Sequence, residues 1–196
     1  MIPRPVLLLT VATALLGSGC SVLSPKKDPT RFYELTGSNT SAPASSASGG
    51  TLVLNVQLAG YLQNTSLAQR LAPNQLTYLP FDQWAQPLGE GISQVLREDL
   101  SAGTGLAVVN ANNTYVIRDA TRVDVVIRQF DVLPSDRVQI TAQWQVRTNL
   151  TGSPIKSGEF RQERPYAPNV KSLQDAVAVL SQLLGEVSQA IRKSLP

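Results

Sequence analysis

A strict two-residue alternation at 138–147 constrains the fold more than any other feature of this chain. Its apolar positions are Val138, Ile140, Ala142, Trp144 and Val146, and its polar positions are Gln139, Thr141, Gln143, Gln145 and Arg147. Because successive side chains of a strand point to opposite faces, the pattern predicts a strand with one face in a core and the other polar. Trp144 is in phase with the core positions, so we expect it to be buried.

Two further strands are predicted around this one. Residues 121–133 alternate and then change phase, which indicates a β-bulge near Arg128 and Gln129. Residues 155–166 form a more polar strand, which suits an edge position. Short turn sequences separate the three strands. Connections this short favour antiparallel pairing, because a parallel crossover needs many more residues.

Two amphipathic helices are predicted, at 86–101 and at 172–194. Pro87 suits the first turn of the first helix, and Ser172 suits the N-cap of the second. Their apolar stripes are Leu88, Ile92, Val95, Leu96 and Leu100, and Leu173, Ala176, Val177, Leu180, Leu183, Leu184, Val187 and Ile191. Shorter strands are predicted at 31–36, 51–58, 75–79 and 106–110, and Pro80 is expected to end the third of these. The expected fold class is α+β, a mainly antiparallel β-sheet with two amphipathic helices packed on one face.

Residues 1–19 have the anatomy of a signal peptide. Arg4 precedes an apolar run that is too short to span a bilayer of about 30 Å. Small residues then precede Cys20, the single cysteine, which resembles a bacterial lipobox and predicts acyl chains such as palmitate on Cys20. The alternative is a plain secretory signal with an incidental buried cysteine. Ser21 follows rather than Asp, which is typical of an outer-membrane address.

The mature chain divides into a lipidated tether at 20–30 and one domain at 31–196. The pair Lys26-Lys27 in the tether either contacts anionic lipid headgroups or is simply solvated. Residues 37–50 are uncharged and rich in Gly, Ser, Ala and Pro, so we expect a flexible loop there.

The composition argues against an enzyme. The chain has no histidine and one cysteine, which excludes histidine-dependent triads and, once Cys20 is acylated, thiol catalysis. Histidine is also the commonest metal ligand, and we expect no metal and no cofactor besides the covalent lipid. The net charge of +3 comes from scattered Lys and Arg, a balance too mild to indicate nucleic-acid binding.

The carboxylates leave an envelope hydrolase as the remaining enzymatic alternative. Glu90, Glu98 and Asp99 lie on or near the first helix, and we expect them on a solvated face. Asp124, Asp131 and Asp136 flank the strand meander, and we expect them at strand ends and in a turn.

Two groups of residues are candidates for contact with a partner. Phe81 and Trp84 precede the first helix, where they either pack at its entrance or contact a partner or lipid, since Trp is enriched at binding hot spots. The second group is the uncharged polar face of the strand at 138–147, namely Gln139, Thr141, Gln143 and Gln145. This face is either solvated or packs against a partner or another copy of the chain in a homo-oligomer.

The order of these features resembles the PqiC-type (paraquat-inducible protein C) lipoproteins, the ABC-type transport auxiliary lipoprotein family. The matching features are Cys20 after a signal, Tyr33-Glu34-Leu35, the strand Leu52–Leu58 leading to Tyr61-Leu62, Trp84-Ala85-Gln86-Pro87-Leu88 opening the first helix, and the last helix. The family usually has Arg before the Trp and Glu before the Pro, where this chain has Gln83 and Gln86.

The resemblance implies a non-catalytic accessory subunit of an MCE-type (mammalian cell entry) lipid transport system. In such systems an inner-membrane permease and ATPase and an MCE-domain protein carry phospholipid across the periplasm. The lipoprotein is then expected at the periplasmic face of the outer membrane, where it docks the transporter. The residues by themselves indicate only an envelope lipoprotein, so a structural or assembly adaptor in outer-membrane biogenesis or secretion is the alternative.

Overall fold

The computed structural model describes residues 27–38, 50–111, 120–148, 154–167 and 173–196. In this part of the chain the strands are β1 (Arg31–Tyr33), β2 (Thr51–Leu58), β3 (Ser66–Ala72), β4 (Gln75–Trp84), β5 (Ala107–Asn110), β6 (Thr121–Leu133), β7 (Arg137–Arg147) and β8 (Lys156–Pro165). The helices are a short 3-10 helix (Gly60–Gln63), α1 (Leu88–Thr104) and α2 (Gln174–Arg192). The signal peptide, Cys20, Ser172 and most of the predicted loop at 37–50 lie outside the described residues.

Strand β6 is the centre of the sheet. Strand β7 pairs antiparallel along one edge of β6, while β2 and then β3 pair in parallel along the other. The ladder shifts between Ile127 and Gln129, which confirms the predicted bulge. The bulge lies beside the end of β2. Ala59, the residue that follows β2, donates its backbone N–H to the carbonyl of Ile127.

The sheet is mixed, and antiparallel ladders hold most of its paired residues. The meander β6–β7–β8 is antiparallel, as predicted, and so is the hairpin β3–β4. Strand β5 pairs with β2 in parallel, because α1 and the connections beside it carry the chain back across the sheet. The outermost strand, β1, pairs in parallel with β4. The predicted α+β fold class is confirmed.

Both helices cover one face of this sheet. Helix α1 packs against β2 and β5, α2 packs against β7 and β8, and the two helices contact each other. Their apolar stripes are buried together with alternate residues of β6 and β7, such as Val123 and Ile140. Each such side chain contributes about 1.5–3 kcal/mol on full burial, so this layer is the main core. Trp144 is buried in it, as predicted, and its indole Nε1 donates to Oγ of Ser194 at 3.1 Å.

Strands β1 and β4 depart from the prediction. Strand β4 continues through Pro80 to Trp84, whereas Pro80 was expected to end it. The β3–β4 ladder is irregular between Tyr78 and Gln83, so position 80 does not have to donate a ladder bond. Strand β1 ends at Tyr33 and is therefore shorter than the predicted strand at 31–36.

Candidate docking surfaces and buried carboxylates

The sheet face that points away from the helices is polar. We call it the polar sheet face. Its side chains are Asn55 and Gln57 of β2, Arg122, Asp124, Arg128, Gln129 and Asp131 of β6, Gln139, Thr141, Gln143 and Gln145 of β7, and Glu159, Arg161 and Glu163 of β8. Because residues paired across strands share a face, the register of the meander determines this set.

The polar sheet face carries charged side chains beside the uncharged residues of β7. Gln143 pairs in register with Glu159, and its Nε2 donates to Oε2 of Glu159 at 3.0 Å. Nε of Arg128 donates to the Oε1 of Gln143 at 3.2 Å. The charges come from β6 and β8, so the alternation within β7 gave no sign of them.

The other predicted residues of β7 differ in accessibility. Gln145 is exposed and accepts a hydrogen bond from Arg147 at 3.1 Å. Thr141 is buried, and its Oγ1 donates to Oε1 of Gln129 at 2.7 Å. Gln139 is turned towards a buried carboxylate. Of the four side chains, Gln145 is therefore the most accessible, and Gln143 beside it is partly exposed.

Asp131 is the buried carboxylate that Gln139 contacts. Asp131 is 0% exposed although it lies on the polar sheet face. Three donors reach it: Nε of Arg70 at 2.7 Å, the Tyr61 hydroxyl at 2.7 Å and Nε2 of Gln139 at 2.9 Å. The Arg70 guanidinium also lies 5.5 Å from the centre of the Tyr61 ring. The 3-10 helix and β3 thus close over one end of the sheet, and Asp131 is not a simple strand-end residue.

The environment of this cluster raises the pKa values of Tyr61 and Arg70. Burial is the main cause that raises the pKa of Tyr61, and its hydrogen bond to Asp131 raises that pKa further. Burial lowers the pKa of Arg70, but the ion pair with Asp131 outweighs this effect and raises the pKa overall. The cluster therefore holds a charged guanidinium and a neutral phenol.

A second buried carboxylate, Asp82, joins β1 to β4. Arg31 donates two hydrogen bonds to it, each 2.9 Å long, and the Tyr33 hydroxyl donates a third at 2.7 Å. The same hydroxyl accepts a hydrogen bond from the backbone N–H of Leu173 at 3.0 Å. Burial raises the pKa of Tyr33, and the hydrogen bond with Asp82 raises the pKa of Arg31. Tyr33 thus fastens the start of α2 to the edge of the sheet.

Asp99 is the third buried carboxylate, and its burial corrects the expected solvated position. The backbone N–H of Ser38 donates to its Oδ1 at 3.1 Å, and the Ser188 hydroxyl lies 3.5 Å from its Oδ2. Glu90 and Glu98 on the same helix are exposed, as expected. Asp99 therefore attaches the segment after β1 to both helices.

The two aromatic candidates before α1 point in opposite directions. Trp84 is 7% exposed, and its ring lies 6.0 Å from that of Phe130 between centroids. Trp84 therefore packs in the core, which agrees with packing at the entrance of α1 and not with contact to a partner or lipid. Phe81 is 48% exposed and is available for contact.

The described residues contain no group of three or more potential metal ligands. None of the helices in the described ranges is long and apolar enough to cross a membrane. Each of the three buried carboxylates is engaged by hydrogen bonds that tie chain segments together. In the described part of the chain these carboxylates therefore hold the segments of an α+β domain together.

The family match identifies the class of protein to which this domain belongs. Residues 33–192 match the family of ABC-type transport auxiliary lipoprotein components. The match spans most of the chain, and the protein belongs to this family, as the resemblance implied. It is therefore an accessory lipoprotein of ABC-type transport, associated with the cell envelope.

Solved structures share the fold. A crystal structure of an uncharacterised protein has a TM-score of 0.69 at 19% identity and covers 85% of this chain and 99% of its own. A crystal structure of a DUF330 protein from Xanthomonas campestris has a TM-score of 0.68 at 18% identity. It covers 83% of this chain and 93% of its own. The PelC dodecamer from Paraburkholderia phytofirmans is more distant, with a TM-score of 0.43 at 12% identity. It covers 80% of this chain and 95% of its own. Comparison with curated proteins found no significant match.

Sequence reasoning missed the cluster around Asp131. The only available signals were a charged residue inside the strand at 121–133, next to apolar positions, and an arginine in a segment without a clear pattern, at Arg70. Their sequence separation of 61 residues hides the contact, because only the parallel pairing of β3 with β6 brings them together.

Proposed function

We propose that this protein is a non-catalytic accessory subunit of an MCE-type intermembrane lipid transport system. An acylated Cys20 anchors it at the periplasmic face of the outer membrane, where it docks the periplasmic MCE-domain protein and, through it, the permease and ATPase. The family match over residues 33–192 carries the proposal, since it assigns an auxiliary lipoprotein to ABC-type transport. The proposal needs no cofactor besides the lipid on Cys20.

We assign docking to the polar sheet face. No element in the described part of the chain covers Gln145, which is exposed next to Gln143. Arg128 and Glu159 provide charges of both signs beside them. Alternating charges favour one register of a partner over others and speed association more than they add affinity. A second copy of this chain is the competing occupant of the same face.

The test is gentle detergent extraction of the tagged, lipidated protein, with co-purifying proteins identified by mass spectrometry. Recovery of an MCE-domain protein together with permease or ATPase subunits supports the proposal. Recovery of outer-membrane assembly or secretion components alone would show that the adaptor alternative is correct.

The matched control is Cys20→Ala, which removes the acylation site and leaves the domain intact. We expect this variant to leave the outer-membrane fraction, while the lipidated protein stays there. If both forms distribute identically, the proposed anchor is wrong. Light scattering of the purified protein, before and after addition of the MCE-domain protein, separates self-association from docking.

A further inference from the structure

Two exposed phenylalanines lie on the same face of neighbouring strands at one edge of the sheet. Phe32 is 65% exposed and Phe81 is 48% exposed. Phe32 pairs in register with Gln83, two residues beyond Phe81. Side chains two apart on a strand share a face, so both rings point to the side opposite the buried Trp84. We call Phe32 and Phe81 the aromatic edge pair.

The neighbours of this pair force it outward. Tyr33 and Asp82 are buried and hydrogen-bonded to each other, so β1 and β4 cannot turn over to bury the phenylalanines. Shifting either strand by one residue would expose these groups and Trp84 instead. Single exposed apolar residues are ordinary on protein surfaces, whereas two exposed phenyl rings on one face of neighbouring strands offer a small apolar patch for contact.

The tether brings the aromatic edge pair close to the lipid anchor. Ten residues, 21–30, separate Cys20 from Arg31, and Phe32 follows at once. A flexible chain of this length spans about 18 Å on average and less than about 40 Å when fully extended. A domain of this size is about 40 Å across. The β1 edge is therefore the part of the domain that the anchor holds nearest to the membrane.

Charges beside the pair indicate the kind of surface it fits. Lys27 is exposed before β1 and Glu34 is exposed after it. The Arg31 side chain is partly exposed but forms an ion pair with Asp82. Opposite charges around exposed phenyl rings fit a zwitterionic headgroup layer better than a strongly anionic one, and Phe is among the residues that bury at the boundary between headgroups and acyl chains in interfacial segments.

We propose that the aromatic edge pair seats the domain on the lipid surface that holds Cys20, with both phenyl rings at headgroup level. This inference rests on the acylation of Cys20 in the proposed function. The acyl chains supply the attachment, and the ring contact determines which side of the domain faces the lipid.

The experiment uses the full lipidated protein in vesicles of phosphatidylethanolamine with a minor fraction of phosphatidylglycerol. Acylation consumes the only native cysteine, so Phe32→Cys and Phe81→Cys each introduce a unique site for an environment-sensitive fluorophore. Leu71→Cys and Ile155→Cys are the matched controls. Both replace similarly exposed apolar side chains, on β3 and before β8, away from the tether.

We expect probes at positions 32 and 81 to show blue-shifted emission, quenching by lipid-borne nitroxide and protection from aqueous iodide. Probes at 71 and 155 are expected to remain fully accessible to iodide. Circular dichroism of each labelled variant checks that the fold is retained, which is expected because all four side chains are exposed.

The outcomes separate this inference from the proposed function. If the protein floats with vesicles and carries acylated Cys20, yet all four probes respond alike, the seating is wrong and the anchor stands. If Cys20 is unmodified and the protein does not float with the vesicles, the proposed anchor is wrong, and the proposed contact of the aromatic edge pair with lipid is then wrong as well. Protection from iodide at 32 and 81 without nitroxide quenching would mean that protein, not lipid, covers the pair, which overturns the inference.

Discussion

Nε of Arg70 lies 2.7 Å from Oδ2 of Asp131, and that carboxylate side chain is completely buried although neither α1 nor α2 covers its side of the sheet. The two residues come from β3 and β6, and the Tyr61 hydroxyl completes the cover. The protein therefore has a second organised region besides its helix-covered core. This polar region holds the 3-10 helix and the β3–β4 hairpin against β6.

Removal of the Asp131 carboxylate should be strongly destabilising. Asp131→Ala leaves the Arg70 guanidinium, whose side chain is 15% exposed, without its partner. Removing one partner of a buried ion pair lowers the free energy of unfolding by about 3–5 kcal/mol. Unfolding in urea measures this loss. The control is Glu163→Ala, which breaks an exposed ion pair with Arg137 and should cost at most about 1 kcal/mol. Equal losses from the two variants would show that the Asp131 cluster is not buried in solution.

Stability should fall at alkaline pH because of Tyr61. Burial and the hydrogen bond to Asp131 raise its pKa in the folded state, so folding favours the protonated phenol. This contribution is fully present below about pH 10, the ordinary pKa of an unfolded tyrosine. It is lost as the pH rises towards the higher folded pKa, because the unfolded state releases its proton first.

The measurement is the free energy of unfolding in urea at a series of pH values from neutral upwards. Tyr61→Phe should flatten the alkaline decline. Tyr78→Phe serves as the comparison, since Tyr78 is a more exposed tyrosine whose hydroxyl donates to the backbone carbonyl of Tyr61 and does not contact Asp131. A decline of the same slope in Tyr61→Phe as in the unmodified protein would rule out Tyr61 as its source.

Gly158 is required by the Trp144 ring. The two residues pair in register across β7 and β8, and a Cβ at position 158 would lie 2.3 Å from the ring. We expect Gly158→Ala to cost about 1–3 kcal/mol through overpacking, with a change in the near-ultraviolet circular dichroism of Trp144. Gly60→Ala is the control, since a Cβ there meets nothing within 4 Å. An unchanged melting temperature for Gly158→Ala would contradict the predicted packing.

Docking on the polar sheet face predicts a binding defect without a folding defect. Gln145→Arg places a charge at an exposed position of this face and should weaken binding to the MCE-domain protein by about tenfold or more. The free energy of unfolding should change by less than about 0.5 kcal/mol.

The matched control for this prediction is Gln94→Arg on the exposed side of α1, beside Glu98. Binding to immobilised MCE-domain protein compares the two variants directly. If Gln94→Arg weakens binding and Gln145→Arg does not, the docking surface lies on the helix side.

Much of the fold was predictable because its signals are local. Strand β7, the bulge in β6 and the burial of Trp144 follow from alternation, and α1 and α2 follow from helical spacing. The extension of β4 through Pro80 was not predictable, since it depends on an irregularity in the neighbouring ladder. The parallel pairs were missed for the same reason: they depend on which distant strands meet.

The sequence by itself determined which residues face a core, where the main strands and helices run, and the family to which the chain belongs. Periodicity carries that information, because the hydrophobic effect acts on each element's own pattern. Only the tertiary structure decided that Asp82, Asp99 and Asp131 are buried, that charged residues of β6 and β8 flank the uncharged residues of β7, and that Phe32 and Phe81 share one face at an edge of the sheet. These properties belong to pairs of residues far apart in the chain, and the register of non-adjacent strands brings them into contact.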